Sequence, residues 1–76
     1  MRKHTSLGAV LLVRIRQERQ RRGWTQRELA RRSGVPQPTI SRLEAGVRKL
    51  DLDVLERIAK AFGVPPLRLL RHVRDL

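Results

Sequence analysis

The stretch Trp24-Thr-Gln-Arg-Glu-Leu-Ala-Arg-Arg-Ser-Gly-Val-Pro-Gln-Pro-Thr-Ile-Ser-Arg-Leu-Glu-Ala-Gly46 decides how this chain is read. Thr25 and Glu28 stand three residues apart just ahead of Leu29. That is the spacing of a capping box: the hydroxyl accepts from the Glu28 amide, and the carboxylate reaches back to the Thr25 amide. Trp24 before the cap and Leu29 after it have the spacing of a hydrophobic staple. The spacing predicts a helix over about 26–33 that stops at Gly34. A second helix starts within Pro36-Gln37-Pro38, since the amides of a first helical turn lack intrahelical partners and prolines are tolerated there. It runs to about Ala45, turns Ile40 and Leu43 inward, and ends at Gly46. Only Gly34-Val35-Pro36 joins the two helices. So short a link makes them cross steeply, which is helix-turn-helix geometry. Ala30 suits the close approach of the two backbones, and Val35 plugs the turn into the core.

Working outward, segment 9–22 places Leu11, Ile15 and Arg19 on one face, widened by Leu12, and Gly23 suits a left-handed closing residue. Asp51 is a good N-cap for a fourth segment that buries Leu52, Leu55, Ile58, Ala59 and Phe62 and ends at Gly63. A fifth begins at Pro65-Pro66 and carries Leu67, Leu70 and Val73, with Leu69 and Leu76 beside them. The expectation is an all-α, compact five-helix bundle: a basic flexible segment over 1–8, then a single domain over 9–76.

Composition narrows the function. The 76 residues include 18 Lys+Arg against 7 Asp+Glu, a formal net charge of +11, and no cysteine. Disulfides and thiolate metal sites are therefore excluded, and two isolated histidines, His4 and His72, do not make a metal site. Eight arginines lie between Arg14 and Arg32 against two acids, Glu18 and Glu28. Such density repels itself unless a polyanion relieves it, and nucleic acid is the commonest such partner. The longest apolar run, Leu7 to Val13, falls far below the roughly 20 residues needed to span a bilayer. A cytoplasmic protein with no membrane partner is expected. No Ser/His/Asp set, metal-ligand cluster or phosphate loop points to an enzyme, and no cofactor is expected.

The run from Ile15 through Gly46, continued by Leu52-Asp-Val-Leu-Glu-Arg-Ile-Ala-Lys-Ala-Phe-Gly-Val64, resembles the Xre/Cro family of bacterial and phage helix-turn-helix regulators, which are lambda-repressor-like. The resemblance covers roughly residues 11–70. It implies that Gln26 bonds a DNA phosphate and supports the start of the recognition helix, and that Gln37 reads a base. A glutamine amide can pair bidentate with adenine N6 and N7. Thr39, Ser41 and Arg42 project from the same edge, where Arg42 can chelate guanine O6/N7 and Thr39 can meet a thymine methyl or a phosphate. Arg48 and Lys49 match the family's basic backbone-contacting loop, with Arg14 and Arg16 as further phosphate contacts. The resemblance also implies a partly buried Arg19–Glu44 ion pair, since a buried arginine without a partner is costly.

Three positions depart from the family pattern. Pro36 stands where a small hydroxyl residue usually caps the recognition helix. Pro38 follows Gln37 where a polar reader is common; its ring can touch a thymine methyl but cannot hydrogen-bond a base edge. Leu50 replaces a common proline. The expected action is that of a repressor: a homodimer on a palindromic operator, with helix 37–45 in the major groove and half-sites about 10–10.5 bp apart. Val64, Leu69, Val73 and Leu76 are the expected dimer surface. The alternatives are an antitoxin-like module that binds a partner protein and represses its own operon, and a basic protein of the membrane surface. The defined cap and tight turn argue against the second, because a surface-bound helix needs no such pair.

Overall fold

The computed structural model describes residues 6–70. Four α-helices, α1 (Leu7–Arg21), α2 (Gln26–Ser33), α3 (Gln37–Glu44) and α4 (Leu52–Phe62), are followed by a 3-10 segment, Pro66–Leu70. No strand occurs among the described residues, and no helix among them is long and apolar enough to cross a membrane.

Side-chain caps start three of the helices. The Ser6 hydroxyl accepts from the Ala9 amide, the Thr25 hydroxyl from the Glu28 amide, and the Asp51 carboxylate from the Val54 amide. The Ser6 cap starts α1 at Leu7, so the boundary expected after residue 8 falls inside the helix; residues 1–5 of the expected N-terminal segment lie outside the described residues. At Thr25 the capping box is half formed. The Glu28 carboxylate accepts from Arg31 and Arg32 rather than reaching back to Thr25. Gly34 closes α2 with a φ of 76°, a left-handed conformation that costs a side chain-bearing residue free energy. Trp24 packs partly buried on the core, its ring stacked on Phe62 at 5.6 Å.

The core joins Leu11 and Ile15 of α1, Leu29 of α2, Val35 of the turn, Ile40 and Leu43 of α3, Leu55, Ile58, Ala59 and Phe62 of α4, and Leu69. Helix contacts close on themselves: α1 packs on α3, α3 on α2, α2 on α4, α4 on the 3-10 segment, and that segment on α1.

The C-terminal part of the bundle differs from the sequence expectation. The fifth element is a 3-10 segment rather than an α-helix over the described residues, and three residues per turn set a different inward face. Leu69 enters the core at 4% exposure, while Leu67 points out at 76%. Leu69 is therefore core and not dimer surface. Leu52, expected in the core, is 76% exposed, because it opens α4 one turn before the face covered at Leu55.

Candidate nucleic-acid interface

The outward edge of α3 begins at a helix start with no side-chain cap, Pro36 standing at the cap position. Gln37, Pro38 and Arg42 are exposed, and Thr39 and Ser41 are half-buried on the way to the buried pair Ile40 and Leu43. Proline at the second helical position removes an amide that has no intrahelical acceptor anyway, so the helix tolerates it.

A polar clamp holds the other end of α3. Arg19 of α1 donates from Nε to Glu44 Oε2 at 2.7 Å and from Nη2 to Glu44 Oε1 at 3.0 Å. Its Nη1 donates to the Trp24 carbonyl at 2.7 Å, so one guanidinium ties α1, the entry to α2 and the end of α3 together. Gln26 Nε2 donates to Glu44 Oε1 at 3.0 Å. The Gln26 amide group is thus anchored at the end of α3 and not at its start, a correction to the expected arrangement. The reason is geometric: the first turn of α2 lies beside Glu44, the acceptor that Arg19 also uses.

The distribution of charge follows from pairing along the helices. Glu18 takes Arg21 and Arg22, Glu28 takes Arg31 and Arg32, and Asp53 takes Arg57, all at i, i+3 or i, i+4. Hydrogen bonds from Arg21, then from Arg22, hold the Glu18 carboxyl down at about 2, and the same carboxylate pushes Arg21 up. Arg31 and then Arg32 lower Glu28 in the same way. By contrast Arg16, Arg27, Arg42, Lys49, Lys60 and Arg68 are exposed and enter no ion pair among the described residues.

Arg16, Arg42 and Lys49 belong to α3 or to its surroundings, whereas Arg27 is on α2, Lys60 on α4 and Arg68 in the 3-10 segment. Arg42 is on α3, and Lys49 is in the loop that follows it. Arg16 lines a concavity with Leu43, Glu44, Ala45 and Gly46. Arg48 is exposed in the same loop but lies 3.9 Å from the Asp51 carboxylate.

Arg27 is not among the expected site residues, yet no acid stands three or four residues from it on either side. Arg14, grouped with Arg16 in that reading, is on the opposite flank of α1. It hydrogen-bonds Gln17 and faces Arg68, so it does not adjoin α3. Of the expected dimer residues, Val64 is half-buried and Leu69 is core, while Val73 and Leu76 lie outside the described residues.

Comparison with known proteins agrees with this geometry. A family model described as helix-turn-helix matches residues 15–69. An uncharacterized HTH-type transcriptional regulator of Mycobacterium tuberculosis is 48% identical over 50 residues, which is 66% of this chain and 36% of that protein. The chain thus spans about a third of the length of that curated relative. The crystal structure of a hypothetical transcription factor from Neisseria superposes with a TM-score of 0.77 at 37% identity, covering 86% of this chain and 75% of that one. The wild-type restriction-modification controller protein C.Esp1396I superposes with a TM-score of 0.78 at 28% identity, covering 88% and 86%.

Proposed function

The chain belongs to the helix-turn-helix family, of the Xre/Cro-like kind whose members are DNA-binding transcriptional regulators, and on that premise we propose that it binds duplex DNA sequence-specifically through α3 and represses transcription as a homodimer. One observation carries this reading. The exposed edge of α3 is anchored at its far end by the Arg19–Glu44 clamp and flanked by Arg16, Arg42 and Lys49, cations that no carboxylate among the described residues neutralises. A rigid helix edge supplies base readout, and uncompensated cations supply phosphate attraction.

Under this reading Gln37 pairs with adenine and Arg42 with guanine in the major groove. The Pro38 ring meets a thymine methyl, and Thr39 and Ser41 make the shorter contacts beside them. Arg16, Arg27, Arg48 and Lys49 sit on phosphates. A single domain of this size reads few base pairs, and a two-fold pair doubles them on an approximately palindromic operator. The exposed Leu67, beside half-buried Leu70, is the apolar surface on which two copies would meet. Selection of bound duplexes from a random pool tests the proposal. An enriched half-site recurring as an inverted pair about 10–10.5 bp apart supports it. A pool that stays random rejects sequence-specific binding, and an enriched single half-site rejects the homodimer.

A further inference from the structure

We propose that the groove between α1 and the 3-10 segment, on the flank of α1 away from α3, docks an acidic segment of a partner protein that carries an apolar anchor. The groove encloses about 550 Å³ and is lined by four arginines, Arg14, Arg21, Arg22 and Arg68, against one carboxylate, Glu18. That carboxylate is already committed, accepting from both Arg21 and Arg22. Arg68 is exposed and enters no ion pair among the described residues. Arg14 Nε is buried and has no hydrogen-bond partner there. The rest of the Arg14 guanidinium is half-buried, donating from Nη1 to Gln17, so its charge, with that of Arg68, is open to an incoming carboxylate.

The floor of the groove selects between kinds of polyanion. Half-buried Val64 and the edge of Leu69 give it an apolar base between the arginines. A leucine or valine side chain can be placed there, whereas a phosphodiester backbone has nothing apolar to offer it. Arg14 and Arg16 are two residues apart on a helix, hence about 200° apart around its axis, so this flank and the α3 flank can be occupied together. The inference does not depend on the reading of α3.

The test uses the full chain and a fluorescein-labelled dodecapeptide alternating glutamate and leucine, beside the same peptide with serine for leucine and a duplex of arbitrary sequence. The glutamate–leucine peptide should bind at least about tenfold more weakly to Arg68→Glu, and about fivefold more weakly to Arg14→Gln, yet within about twofold of wild type to Arg42→Glu. Arg68→Ala repeats the measurement without charge reversal, and an unchanged thermal melt shows that each variant folds. Equal binding of the serine peptide would reduce the groove to a charge effect and overturn the proposal. Equal losses in Arg42→Glu and Arg68→Glu would place the peptide on the α3 face instead. If Arg68→Glu weakens duplex binding as much as peptide binding, the groove serves nucleic acid and the proposal fails.

Discussion

Arg19 and Glu44 meet as a fork, two nitrogens on two oxygens at 2.7 and 3.0 Å, with the side chains only 12% and 6% exposed. A desolvated pair of this kind is costly to halve, because the remaining charge stays buried without compensation. Glu44→Ala should lose about 3–5 kcal/mol of unfolding free energy in urea titrations. Arg19→Lys should also destabilise, since an ammonium cannot reproduce the planar fork. A loss below about 1 kcal/mol for Glu44→Ala would mean that the pair behaves as a solvated one.

Substitutions on the α3 edge and around it should separate two kinds of contact. Gln37→Ala and Arg42→Ala should each cost about 1–3 kcal/mol of operator binding and relax preference at one position per half-site. Arg27→Ala and Lys49→Ala should weaken all duplexes alike and flatten the dependence of affinity on salt by about one unit of slope each. Gel-shift titrations over a range of salt concentrations distinguish the two. Arg42→Ala with unchanged sequence preference would remove that residue from base readout.

Thr25→Ala deletes the hydroxyl that accepts from the Glu28 amide, at 3.0 Å. The expected cost is about 1 kcal/mol, measured by thermal or urea unfolding. Thr25→Asp should restore most of it, because aspartate accepts from the same amide and favours a helix N-terminus. Failure of aspartate to rescue would show that the threonine contributes through its methyl group and not its oxygen.

Acid should weaken the fold through Glu18. Its carboxyl is lowered from 4.5 to about 2 by the hydrogen bonds from Arg21 and Arg22, so the folded state favours the ionised form. That stabilisation is fully present above about pH 4.5 and is lost as pH falls towards about 2. Glu18→Gln should therefore reduce the drop in melting temperature over this window, by an amount corresponding to no more than about 1 kcal/mol for a screened pair. Identical pH profiles for the variant and wild type would contradict the assignment. Glu28 is shifted the same way and adds to the same limb.

Local chemistry made much of the fold legible in advance. The Thr25 and Asp51 caps and the left-handed Gly34 and Gly63 act within a turn of their own position, so short spacings announce them. The C-terminal region was less legible because an apolar run carries no mark of its period. Leu67, Leu69 and Leu70 read equally well as helical, and the 3-10 geometry alone decides that Leu69 goes inward. The bond from Gln26 to Glu44 is illegible for a related reason: the two are 18 residues apart, and only the fold brings them together. The lack of a local partner for Arg27 is legible in the sequence. Counting acids three and four residues from each arginine separates Arg27, Arg16 and Arg42 from the arginines that Glu18, Glu28 and Asp53 neutralise.

The circuit of contacts that returns from the 3-10 segment to α1 has a consequence for how the molecule comes apart. Each element is stitched along two seams, so none can peel away as an independent flap without opening both. Melting should be all-or-none, and slow amide exchange should report one shared opening energy from Ile15 to Leu69. A molecule assembled in this way presents the exposed edge of α3 whenever it is folded at all.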